Sequence, residues 1–157
     1  HSQLIRPFKS ETDRYGMYSV SGEFAYDRPF LWGSKRTGPD LARIGNYRSV
    51  DWHENHMKDP VSVVPGSIMP AYVHMFNKNA DIETAYAEAV TVKKVFNVPY
   101  DMEGMPKLGS WEEAQAEVRA EAEAIVSQMK DQDVKDAFAR GEIRQIVALI
   151  AYLNSLK

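Results

Sequence analysis

One imidazole and one thioether stand out. His1 opens the run His1-Ser2-Gln3-Leu4-Ile5-Arg6-Pro7-Phe8, and Met69, 68 positions on, lies in Pro65-Gly66-Ser67-Ile68-Met69-Pro70-Ala71-Tyr72. Such a pair holds a haem iron six-coordinate for electron transfer and raises its reduction potential. Pro70 pushes Met69 out of the helical region, and Pro65-Gly66 supplies a turn just before it. A stiff, extended loop suits a weak ligand that needs fixed presentation. The competing reading is that Met69 fills an irregular gap in a core. Gly38-Pro39-Asp40-Leu41 is the next element. An iron-bound histidine usually donates its other ring N–H to a carbonyl, and a Gly-Pro turn can expose one, because proline has no N–H to compete for it. Gly-Pro is also a common turn dipeptide, so this element alone is weak.

Other side chains invite chemistry less specifically. His53 and His56 sit three apart on one face of an expected helix, with His74 further on. They could hold zinc or copper, although no acidic or cysteine ligand completes the set, and solvated or hydrogen-bonded histidines are the plainer reading. Arg6, Lys35 and Arg36 could pair with haem propionates, since a guanidinium matches a carboxylate bidentately, or could form an ordinary solvated surface. Trp32, Trp52 and Tyr72 could wall a haem pocket or serve as core aromatics. No G-x-S-x-G, P-loop, G-x-G-x-x-G or H-E-x-x-H motif occurs, so no nucleophile or nucleotide site is expected.

A length of 157 residues, 44% hydrophobic and 26% charged, favours one compact domain, or one domain plus an appendage. A net charge of -3 makes no electrostatic case for nucleic acid. Cysteine is absent, which excludes disulfides and cysteine-based zinc sites within these residues. The longest apolar run, Ile146 to Leu153, is far short of the roughly 20 residues of a spanning helix. The chain is therefore expected to be soluble, and its start at His1 reads as cut from a longer parent.

Three stretches differ in the elements they must supply. Residues 1–76 hold the candidate ligands. Up to about Gly45 they are rich in aromatics, glycine and proline and read as ordered loop, with a short strand expected at Met17-Tyr18-Ser19-Val20. Ser49 should cap a helix running to Lys58, with Pro60 ending it or starting a new turn. Residues 77–141 read as an inserted helical region: a helix after Asp81, a break at Asn97-Val98-Pro99-Tyr100-Asp101, a helix opened by the capping box Ser110-Trp111-Glu112-Glu113, and a short one ending near Gly141. Residues 142–157 read as a final amphipathic helix with the stripe Ile143, Ile146, Val147, Ile150 and Leu153.

The order of histidine, Gly-Pro-x-Leu, proline-flanked methionine and amphipathic helix resembles that of class I cytochromes c. The segments HSQLIRPFKSETDRYG, YSVSGEFAYDRPFLWGSKRTGPDLARIG, WHENHMKDPVSVVPGSIMPAY and NVPY go further. They resemble the mono-haem cytochrome c subunit (subunit II, CcoO/FixO type) of cbb3-type cytochrome c oxidases, most strongly from His1 to Tyr72. The resemblance implies a mainly α, class I cytochrome c-like domain with a long irregular N-terminal segment and an inserted helical region. It implies haem c, with His1 as proximal ligand, Met69 as distal ligand and the Pro39 carbonyl orienting His1. Its thioether cysteines, in a C-x-x-C-H signature, would fall just before residue 1, and these residues cannot tether the haem themselves. The implied partners are the catalytic haem-copper subunit and a di-haem cytochrome c subunit or soluble electron donor. The implied location is the periplasmic face of the bacterial inner membrane, through an N-terminal anchor not present here.

Two alternatives remain at this stage: a haem-free scaffold or apo fragment of the same family, and a metal-binding domain built on His53, His56 and His74. Without haem and the usual N-terminal helix, Ile146, Ile150 and Leu153 are expected to lose cover and to promote self-association.

Overall fold

The computed structural model describes residues 1–27, 29–33 and 35–157. Its helices are α1 (Lys9–Tyr15), α2 (Val50–Lys58), α3 (Pro60–Val63), α4 (His74–Asn77), α5 (Ile82–Phe96), α6 (Trp111–Val126), α7 (Gln132–Ala139) and α8 (Gln145–Ser155). Extended pairing among the described residues is limited to isolated bridges, Ser2 with Asp40 and Asn79 with Arg144. The fold is mainly helical, as expected of a cytochrome c-like chain. Two compact units form: residues 1–47 with 153–157, and residues 48–152.

The first unit holds a helix that composition obscured. Helix α1 has no side-chain cap at Phe8. Instead Glu11 reaches back past the helix start and accepts the Arg6 amide at 2.8 Å, satisfying a backbone donor much as a capping box does. The expected strand at Met17-Tyr18-Ser19-Val20 does not form. Ser19 takes up both backbone groups of Ile5, by N–H to O at 2.9 Å and by its Oγ accepting the Ile5 amide at 2.9 Å. A side-chain acceptor replaces what would be the next ladder bond, so pairing stops at one residue. The C-terminal residues are held by backbone contact: Gly45 donates to the Leu156 carbonyl at 2.8 Å, and a Cβ on Gly45 would overlap the backbone of Asn154.

In the second unit local chemistry places most helix ends. Ser49 accepts the Trp52 amide to start α2, and Asp59 and Pro60 open α3 in the cap and first positions. Asp81 caps α5, which ends on Asn97 in a left-handed conformation with φ 52°. Ser110 and Glu113 form the reciprocal capping box of α6 at 3.2 and 2.8 Å. Asp131 caps α7. Helix α8 begins three residues later than its stripe suggested. Residues 143–145 are used otherwise: Ala80 donates to Ile143 and Gln145 donates to Lys78, which binds this stretch to the chain before α5.

The core of the second unit gathers Val50 and Phe76 with Ala122, Ile125, Val126 and Met129 of α6 and its exit, Val134 of α7, and Ile146, Val147 and Ile150 of α8. The expectation that α8 loses its cover is corrected, since Ile146 and Ile150 are fully buried and Leu153 nearly so. Ile146 and Ile150 belong to the same buried cluster as residues of α2, α4, α6 and α7. Glu54, also buried, accepts the Lys130 amide at 2.7 Å and ties α2 to the α6–α7 junction.

Candidate functional site

His1, Arg6, Trp32, Lys35, Arg36 and Pro39 belong to the first unit; Trp52, His53, His56, Met69, Tyr72 and His74 belong to the second. Around His1 the geometry is specific. Its Nδ1 lies 2.7 Å from the Pro39 carbonyl oxygen. A carbonyl only accepts, so Nδ1 carries the proton and Nε2 keeps its lone pair, the form a metal-binding imidazole needs. The ring lies against Gly38 so closely that a Cβ there would sit 2.6 Å from Nε2 and 2.8 Å from Nδ1. Glycine at 38 is thus required by the imidazole, and proline at 39 removes a competing amide.

Met69 stands on a loop built by local bonds. Gly66 takes φ 81°, Ser67 donates to Val64, and the Ser67 Oγ accepts the Met69 amide at 3.2 Å. This short serine turn presents the residue two positions on. The Tyr72 amide donates to the Met57 carbonyl at 2.8 Å, closing the loop against the end of α2. Met69 is half-buried while Ile68 beside it is exposed. Taken each by itself, the imidazole is held through Nδ1 and the thioether stands on a braced loop, and both residue types are donors that haem iron accepts. Among these residues nothing can form the thioether links, since cysteine is absent.

The basic candidates divide. Lys35 is exposed. Arg6 is engaged with Glu11 at 2.6 Å. The side chain of Arg36 is only 4% exposed, and each of its three guanidinium nitrogens already has an acceptor within the protein. Of the aromatic candidates, Trp32 packs at a tilt on Phe24 with ring centroids 5.7 Å apart, and Tyr72 lies 5.9 Å from His74. Trp52 is stacked between the Arg48 guanidinium, 4.3 Å from its centroid, and the His56 ring at 4.4 Å.

His53 departs from expectation. It is 1% exposed, and neither ring nitrogen has a hydrogen-bond partner; His56 Nδ1 is likewise buried and unpartnered. Neither a solvated nor a hydrogen-bonded role describes His53. The signal was present in the spacing: Val50, His53 and Met57 fall at i, i+3 and i+7, the buried stripe of a short helix. Among the described residues no three histidine, aspartate or glutamate side chains gather to hold a metal ion. Burial, then the neighbouring His56 and Arg48, depress the His53 pKa from 6.5 to about 4. Between those values the unfolded chain binds a proton that the folded chain refuses. The stabilisation is present above about 6.5 and is lost as pH falls toward 4. Urea unfolding at about pH 7 and about pH 5 should show this loss, and His53→Phe should reduce it.

The mainly helical fold is consistent with that of a c-type cytochrome. Residues 1–157, the whole chain, match the family described as cytochrome C oxidase, mono-heme subunit/FixO, and the chain belongs to that family. A search of curated proteins finds no match. No helix among the described residues is long and apolar enough to cross a membrane.

Proposed function

We propose that this chain carries one haem c, with His1 and Met69 as axial ligands, and passes single electrons to the catalytic haem-copper subunit of a cbb3-type oxidase. The electron donor is a di-haem cytochrome c subunit or a soluble cytochrome, and the domain works at the periplasmic face of the inner membrane. The observation that supports this reading best is the seat of His1, with the ring pressed on Gly38 and Nδ1 bonded to Pro39. That arrangement costs a glycine at one position and a proline at the next, and it selects one tautomer. A surface histidine with no metal to meet needs neither. The bound haem supplies the one-electron redox chemistry, and the protein supplies ligands, orientation and burial. His1 donates to Pro39 and keeps Nε2 available, while Met69 offers a weak, soft donor that discourages binding of oxygen.

Covalent attachment needs two cysteines outside these 157 residues. The test therefore uses the haem-bearing subunit in its intact oxidase. Its reduced spectrum should show the sharp Soret and split visible bands of a low-spin, six-coordinate haem c. Gly38→Val should displace the imidazole and convert part of the population to high-spin haem that binds carbon monoxide. An unchanged spectrum in Gly38→Val would overturn the assignment of His1.

A further inference from the structure

The seat of His1 grips its ring, but something must also hold the backbone that carries it. We propose that Arg36 and Glu11 form a buried clamp on residues 2–6 that positions His1, making Arg36 a positioning residue for the iron ligand and not a partner of a propionate. The proposal rests on the reading of His1 as a ligand.

One guanidinium reaches two places along this strap and Glu11 of α1 beyond it. Its Nε donates to Ser2 Oγ at 3.0 Å, one terminal nitrogen donates to the Leu4 carbonyl at 2.5 Å, and the other donates to Glu11 Oε1 at 3.0 Å. Glu11 carries the grip to residue 6: it accepts the Arg6 amide at 2.8 Å and the Arg6 Nε at 2.6 Å. Burial pushes the Glu11 pKa up, yet the Arg6 bonds and the Arg36 charge outweigh it, and the net direction is down. The carboxylate therefore stays charged and the clamp closed at neutral pH. On the other side of the strap, Leu41 donates to the Ser2 carbonyl at 2.8 Å.

The placement in sequence carries the argument. Arg36 and Asp40 flank Gly38 and Pro39. The segment 36–40, whose Gly38 and Pro39 seat the ring, thus also holds the strap: Ser2 bridges to Asp40, and Asp40 lies 3.9 Å from the Arg36 guanidinium and accepts from Tyr15 at 2.5 Å. Ring and strap are bound to the same short segment and cannot shift independently. Buried ion pairs often add little net stability compared with an apolar replacement, so stability alone is a poor reason for this network. A planar fork that fixes Ser2, Leu4 and Glu11 at set angles is a good way to define the plane of the neighbouring imidazole. A lysine, with all its donors on one nitrogen, cannot span the three acceptors.

The test separates positioning from packing in the haem-bearing subunit. Three variants are compared with the native protein: Arg36→Met, Arg36→Lys, and the paired Arg36→Met with Glu11→Leu. Thermal unfolding reads packing; the g values of the low-spin ferric signal and the reduction potential read the orientation of His1. Arg36→Met should melt lower, because it takes one of two guanidinium partners from the buried Glu11 carboxylate and leaves the Leu4 carbonyl without its donor. The paired variant should recover part of that loss, since the Arg6 amide and guanidinium then lose Glu11 as acceptor, while its g values remain shifted and broadened and its potential remains displaced. Arg36→Lys should show the same shifted signal. A paired or lysine variant with native g values and potential overturns the clamp while leaving the ligand reading intact. A native protein without a histidine-ligated spectrum overturns both.

Discussion

Met69→Ala in the haem-bearing subunit is expected to lower the reduction potential by on the order of 0.1 V or more, within the roughly 0.8 V span that axial ligands control. The thioether stabilises ferrous over ferric iron, because a soft, weakly donating sulfur favours the lower charge. Removing it leaves a hole that water or hydroxide fills, and those hard ligands favour ferric iron. The loop gives alanine no substitute donor to offer. It is braced by the Ser67 turn and by the Tyr72 to Met57 bond, so a neighbouring side chain is not free to swing in. The sulfur-to-iron charge-transfer band should vanish together with the shift in potential. An unchanged potential would remove Met69 from the ligand set, and the half-buried side chain would then be read as packing.

Ile150→Ala is expected to cost about 2–5 kcal/mol of folding stability, measured by denaturant unfolding. Ile150 has no exposed surface and lies at the centre of the second unit's core, among side chains of α6, α7 and α8. The neighbours belong to separate helices capped by their own residues, so they cannot readily collapse into the space left behind. Tyr152, two positions on and 45% exposed, provides the contrast: Tyr152→Ala should cost clearly less than Ile150→Ala, about 1 kcal/mol. If the two variants unfolded alike, Ile150 would not be buried in the core as described.

These expectations draw on information legible to different degrees before folding. The helix starts at Ser49, Asp81 and Ser110 could be read directly, because each is a side chain bonding an amide three residues on. The ligand pair was legible as residue types in a stiff context, and the family resemblance joined His1 to the Pro39 carbonyl. Helix α1 escaped notice because its N-terminal partner is Glu11 reaching back five residues, outside the usual box. The strand at Met17–Val20 failed because β-like composition does not supply a second paired neighbour.

The sequence by itself determined which side chains could meet an iron, which backbone turns could present them and where most helices begin. Those properties depend on bonds within a few residues. Only the tertiary structure decided what distant charges do. Arg36 was expected to meet a propionate or solvent, and its side chain is instead buried, with an acceptor 25 to 34 positions away for each of its three nitrogens. His53 looked like a solvated or ligating histidine, yet packing buries it without a partner. The stripe of α8 was expected to be uncovered, yet Ile146, Val147 and Ile150 are buried in one cluster with residues of α2, α4, α6 and α7. In each case desolvation and long-range contact overrode local character. The same long-range contact seats His1 on Gly38 and Pro39, 37 and 38 positions away.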